Sequence, residues 1–185
     1  MKEKNKSAIS IIGGADGSTS IFVAGRTGKM PLKVRIRNAI YRFRSRRAER
    51  KVVAGTHTLD ELVQYARNRY NLMEIDATER KYIEQRKNLK ESLILQHKPE
   101  ILGEMPDHVI PMNFHLYEIR IGKDSLEIAI EYNWNILGIS YSGKRKVMKQ
   151  FKKISKDLYR YYGVSEDDIK RKTERYSSLI MALSS

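Results

Sequence analysis

The strongest constraint on the fold is a pair of alternating segments that flank a short turn. The segments are NFHLYEIRIG and SLEIAIEYNW, in residues 113–134, and the turn between them is Gly122–Asp124. Apolar and polar side chains alternate along both segments, which predicts two antiparallel strands, each with one apolar and one more polar face. ILGISYSG, in residues 136–143, predicts a third strand of the same sheet.

Helical periodicity dominates the rest of the chain. An N-terminal hairpin is predicted from AISII and TSIFVAG on either side of the glycine turn GGADG. Thr58 followed by Glu61 is the signature of a capping box at a helix start. The predicted helices run over residues 31–54, 58–72, 76–96, 144–162 and 166–183.

These elements predict an α+β fold in which an antiparallel sheet, made of the N-terminal hairpin and the central strands near 113–141, is combined with about five helices. A chain of 185 residues fits one α+β domain, residues 1–185. A second interpretation divides it near Gly103. Residues 1–103 would then hold the hairpin and helices, and residues 104–185 the strands and two helices.

Positive charge is concentrated in one predicted helix. The chain carries a net charge of +14, and residues 26–51 contribute +10 of it with eight arginines, three lysines and one acid, Glu49. Guanidinium groups match phosphate geometry, and aromatic rings between them can stack on bases. We therefore predict that this segment binds an anionic partner through Arg35, Arg37, Arg42, Arg44, Arg46, Arg47, Arg50, Tyr41 and Phe43.

Nucleic acid is the first partner that this segment predicts, an anionic membrane surface the second, and a protein the third. The competing interpretation is a solvated helix whose apolar stripe packs on the sheet; the stripe consists of Leu32, Ile36, Ala39, Ile40 and Phe43. A second basic segment, Gly143–Lys156, has the same sign of charge, and the sequence leaves open whether the two segments share a face.

No reaction is indicated by the side chains that usually carry chemistry. Cysteine is absent, which excludes disulfides and thiolate sites and fits a reducing compartment. None of the four histidines has a second histidine three or four residues away, so no helical metal pair is predicted. The expectation is a non-enzymatic protein with no catalytic residues, no metal and no cofactor.

No membrane span is predicted either. Residues 7–25 form an apolar stretch of about the length that a spanning helix needs, but four glycines and Asp16 argue against such a helix. We therefore expect a cytoplasmic or membrane-peripheral location.

One short motif resembles a known family. GGADGSTSI, Gly13–Ile21, is similar to a segment of the β subunit of sodium-translocating decarboxylases that act on oxaloacetate or methylmalonyl-CoA. Ser18 stands where that family usually has proline. The resemblance implies an accessory or soluble relative of such a pump, in which a sodium ion would be handled by a loop of Gly13, Gly14, Asp16, Gly17 and Thr19. A turn aspartate bonded to its own backbone is the alternative role of Asp16.

Overall fold

A computed structural model describes residues 9–12, 20–23, 31–97 and 110–184 of the chain. Within them the elements follow in this order: β1 (Ile9–Ile12), β2 (Ser20–Val23), α1 (Leu32–Glu49), β3 (Gly55–Thr56), α2 (Leu59–Tyr70), β4 (Met73–Glu74), α3 (Arg80–His97), β5 (Phe114–Ile121), β6 (Asp124–Glu131), β7 (Ile136–Tyr141), α4 (Arg145–Tyr162), β8 (Gly163–Val164), α5 (Glu166–Arg171) and α6 (Glu174–Ser184). The predicted α+β class is confirmed.

The central sheet is antiparallel throughout, with strand order β4-β5-β6-β7. Its register sets Phe114 opposite Glu131 and Ile121 opposite Asp124, so the predicted turn at Gly122–Asp124 joins β5 to β6. β1 and β2 pair with Ile9 opposite Val23, which confirms the predicted hairpin strands, but they form a separate two-stranded sheet and are not part of the central one as predicted. The predicted division near Gly103 lies outside the described residues and stays a prediction.

Helices cover both faces of this sheet. Tyr117, Ile119 and Ile128 pack against α2 and α4, whereas Phe114 and Leu116 pack against α3. The face that carries Glu118 and Glu131 is the more polar one, as the alternation predicts, but α3 covers part of it. Two carboxylates on that face are buried with local partners.

Those two carboxylates are Glu118 and Glu131. Glu118 is 4% exposed and accepts a hydrogen bond of 2.7 Å from Lys81 Nζ of α3. Glu131 is fully buried at the end of β6, and its Oε1 accepts hydrogen bonds from the backbone amides of Asn113 and Asn133. In these strands, the two glutamates are thus buried beside hydrogen-bond donors and are not exposed to solvent.

Local sequence signals set some of the helix ends. Thr58 and Glu61 form the predicted capping box at the start of α2. The predicted final helix is wrong as a single element, because Lys172 takes a left-handed conformation (φ 51°) and separates α5 from α6. Thr173 then donates its hydroxyl to Asp168 Oδ1 at 2.7 Å, which secures the break. The described residues therefore hold six helices.

The orientation of α1 differs from expectation. It ends at Glu49 and not near Ala54, and Ala48 is its one buried residue. The stripe predicted to face the protein is exposed: Leu32 by 69%, Ile36 by 51%, Ile40 by 48% and Phe43 by 68%. The main contacts of α1 with another described element are with α6, and its buried residue, Ala48, lies near its C-terminal end. No helix in the described part of the chain is long and apolar enough to cross a bilayer.

Candidate anion-binding cleft

A cleft of about 680 Å³ lies where the C-terminal end of α1 meets α4 and α6. Its α1 side is formed by the helix end and the three residues after Arg50, and its other side by one face of α4. The lining residues are Arg44, Arg47, Ala48, Lys51, Val52, Val53, Lys152, Lys156, Arg160, Gly163, Leu179, Leu183 and Ser184. Six of these are cationic and none is acidic, so the cleft presents a strongly positive surface.

The α4 side of the cleft is a ridge of cations. Lys152, Lys156 and Arg160 are spaced four residues apart, which places them on one face of the helix. The opposite face carries Phe151 and Leu158, which are fully buried in the core against the sheet. The amphipathic pattern of α4 therefore fixes the direction of the ridge.

A carboxylate beside this ridge fixes α4 to α2. Asp157 Oδ2 accepts hydrogen bonds of 2.7 Å from the hydroxyls of both Tyr65 and Tyr70. Burial raises the pKa of Asp157, but these hydrogen bonds and the charges of Arg69 and Arg160 outweigh burial and lower it overall. Burial and the bond to Asp157 raise the pKa of Tyr65 to about 12, so the phenol stays a donor.

The end of α4 forms the floor of the cleft. Gly163 has φ 63° and begins β8, which pairs with β3 so that Thr56 lies opposite Gly163. Arg175 of α6 donates from Nε to the carbonyl of Gly163 at 2.9 Å and from Nη2 to the carbonyl of Tyr162 at 2.6 Å. Its guanidinium also lies 3.6 Å from the centroid of the Tyr162 ring. These contacts position the floor relative to α6.

The cations of the cleft repel one another. Burial lowers the pKa of Lys156, and the charges of Lys152, Arg160 and Arg44 lower it further. Arg44 of α1 thus lies close enough to Lys156 of α4 for the two charges to interact. Lys156 Nζ donates a hydrogen bond of 3.3 Å to the carbonyl of Leu183 near the end of α6, where the helix dipole favours a cation.

Carboxylates neutralise this surface only in part within the described residues, where Asp157 attracts Arg160 without a close ion pair. None of the ion pairs formed among residues 31–97 and 110–184 involves a cation of α1, and none involves Lys51, Lys152 or Arg160. The acids are paired elsewhere, as Glu74 is with Arg67 and His115, and Glu118 with Lys81.

The predicted binding residues are distributed over several faces of α1. Arg44 and Arg47 line the cleft. Tyr41 and Phe43 do not, and at about 100° per residue they point to nearly opposite sides of the helix, so one ligand cannot stack on both. Both rings are exposed. The other predicted arginines are exposed outside the cleft: Arg35, Arg37, Arg42, Arg46 and Arg50.

Four cleft cations were missing from the predicted binding residues: Lys51, Lys152, Lys156 and Arg160. The second basic segment had been recognised, and the structure answers the question that the sequence left open, because both segments reach the same cleft. The available signal was the four-residue spacing of Lys152, Lys156 and Arg160 on a helix whose other face is apolar.

The GGADG loop cannot be compared with the cleft. Gly13, Gly14, Asp16, Gly17 and Thr19 all lie outside the described residues, so the suggested sodium site stays a prediction. Comparison of the chain with protein-family models, with curated proteins and with solved structures finds no match.

Proposed function

We propose that the protein binds nucleic acid, and that the cleft between α1 and α4 holds phosphates of the backbone. The observation that carries the proposal is the convergence of six cations on a cleft lined by no acid: five come from α1 and α4, and Lys51 follows α1. Like charges that lie close together repel one another and destabilise the free protein, and a polyanion that enters the cleft neutralises them.

The first turns of α1 and α4 also lack acidic residues, which adds to the positive charge of these two helices. Acidic residues at these positions stabilise the positive end of a helix dipole. By contrast, α2 begins with Asp60 and Glu61, and α5 begins with three acids. Two of the three helices that border the cleft, α1 and α4, therefore lack the usual negative charge at their N-termini, whereas α6 begins with Glu174.

Arginine on the α1 side suits phosphate recognition in particular. A guanidinium donates two parallel hydrogen bonds to phosphate oxygens, whereas an ammonium acts as a point charge. Arg44 and Arg47 would hold the phosphates in register, and the lysines of α4 would add sequence-independent attraction. The proposal concerns binding through the backbone and assigns no base specificity.

The test measures how salt weakens binding to labelled duplex and single-stranded oligonucleotides. Fluorescence anisotropy between about 50 and 200 mM NaCl gives the slope of log K against log salt, which is about −5 when six phosphates of a duplex are neutralised. The double variant Lys152→Gln/Arg160→Gln removes two contacts and reduces the steepness of this slope by about 2.

The matched control removes the same charge from a different surface. Lys170 and Arg171 of α5 are exposed and lie outside the cleft, each in an ion pair with an acid of the same helix. Lys170→Gln/Arg171→Gln should leave the slope almost unchanged. Absence of binding near 50 mM salt, or equal losses in the two double variants, would refute the proposal.

A further inference from the structure

The outward face of α1 is a second surface, separate from the cleft. Leu32, Ile36, Ile40 and Phe43 fall within an arc of about 80° when each residue advances 100° around the helix. All four are about half exposed or more, so no described part of the chain covers this face. The stripe runs for about 16 Å along the helix axis.

The less exposed side of α1 is the opposite one. Val34, Asn38, Ser45 and Ala48 are buried or half-buried and lie more than 100° from the centre of the stripe. The helix therefore turns its smaller and more polar side toward the protein and its larger apolar side chains toward solvent. This arrangement reverses the usual amphipathic pattern of a surface helix, whose apolar face is toward the core.

Cations border the stripe on both edges. Arg35 and Arg42 lie along one edge, while Lys33 and Arg37 lie along the other, and all four precede the part of α1 that lines the cleft. No acid occurs in α1 before Glu49 at its last position. An apolar stripe between two rows of cations is one feature of helices that lie in the interface of an anionic membrane.

From these observations we infer that α1 docks on an anionic lipid bilayer, with the apolar stripe at the headgroup and acyl boundary and the flanking cations on lipid phosphates. Charge complementarity favours this occupant over a second copy of the chain, because two such helices would bring like-charged rows together. The inference uses a different surface from the cleft and does not rest on the proposed function.

The experiment measures sedimentation of the full chain with vesicles of phosphatidylcholine alone or with about one third phosphatidylserine. The wild-type chain should bind the anionic vesicles and not the neutral ones, because each cation near the surface adds attraction to anionic lipid. The double variant Ile36→Ser/Phe43→Ser should lower the partition coefficient about tenfold or more, since two apolar side chains leave the lipid boundary.

A matched pair of substitutions comes from α3. Ile83 and Leu95 are 53% and 54% exposed and lie outside the stripe, so Ile83→Ser/Leu95→Ser removes similar exposed apolar area from one helix. This control should bind vesicles as the wild type does. The stripe variant should retain its affinity for the duplex oligonucleotide, which separates a failure of this inference from a failure of the cleft proposal.

Three results would overturn the inference. The first is a wild-type chain that does not bind the anionic vesicles. The second is an equal partition coefficient for the stripe variant and the α3 control, which would leave only charge attraction. The third is a dimer in size-exclusion chromatography that the stripe variant converts to a monomer, which would assign the stripe to a second copy of the chain.

Discussion

At the scale of single residues, Gly163 combines two constraints that no other residue type satisfies. Its φ of 63° and ψ of −166° fall in a region that essentially only glycine adopts, which costs residues with a Cβ about 1–3 kcal/mol. A Cβ added there would lie 1.9 Å from the carbonyl oxygen of Gly55, which belongs to the partner strand β3. Both the α4 terminus and the floor of the cleft depend on this close approach.

The prediction compares this glycine with Gly122. Gly163→Ala should lower the free energy of unfolding by roughly 3 kcal/mol or more, because the clash breaks the β3–β8 pair in addition to the cost of positive φ. Gly122 has φ 65° with no atom within 4 Å of its added Cβ, so Gly122→Ala should cost only the backbone term, about 1–2 kcal/mol. Urea denaturation measures both, and equal costs would contradict the prediction.

At the scale of elements, α1 is attached through a small contact. Ala48 is 8% exposed, and the contacts of α1 with the folded body are with α6 near the C-terminal end of α1. A small side chain at this position lets α1 approach closely enough for Arg44 and Arg47 to face Lys152 across the cleft. Ala48 is therefore the residue of α1 whose size most directly limits how close the helix comes to α6.

Ala48→Leu should loosen that attachment. Three extra carbons in a close-packed contact cost about 1–3 kcal/mol, and the helix can relieve the strain by moving away from α6. We expect faster amide hydrogen exchange over residues 44–50 and weaker binding to the duplex. Ala39→Leu makes the same change at an exposed position of α1 and should alter neither quantity. Equal exchange in the two variants would show that Ala48 does not anchor the helix.

The elements that the sequence predicted correctly are those with strong local signals. The Thr58–Glu61 capping box, the turn at Gly122–Asp124 and the amphipathic pattern of α4 each depend on neighbouring residues. The break at Lys172 was missed because the left-handed residue is neither glycine nor asparagine. The two-residue strands β3, β4 and β8 were missed because such short pairs are set by tertiary contacts.

The direction of α1 shows the limit of periodicity. The pattern correctly placed Leu32, Ile36, Ile40 and Phe43 on one face, but periodicity alone does not say what that face meets. For the same reason, the sequence predicts the cations of the candidate cleft but not their arrangement around it. Charge counting found the basic segments, whereas their convergence depends on how α6 packs against both α1 and α4.

At the scale of the whole molecule, positive charge is in excess and is also concentrated in a different part of the structure from most of the acids. Acids of the described residues pair with cations on α2, α3, α5 and the sheet, as in Glu118 with Lys81 and Asp167 with Arg171. The charges of Lys152, Arg160 and Arg44 lower the pKa of Lys156, so these cations repel one another in the free protein. This segregation links stability to binding, because any ligand that neutralises the cleft also stabilises the fold.

Neutral side chains in the cleft should therefore stabilise the free protein. Each like-charged pair four residues apart on a helix costs about 0.2–0.5 kcal/mol, and Lys152→Gln/Arg160→Gln relieves two such pairs around Lys156. In low salt we expect its Tm to rise by about 1–3 °C, and the gain should fade near 1 M salt, where screening acts over about 3 Å. Lys170→Gln/Arg171→Gln, which breaks two ion pairs on α5, should leave Tm unchanged or slightly lower. Thermal melts at both salt concentrations test this, and a lower Tm for the cleft variant in low salt would show that its cations are stabilised within the chain itself.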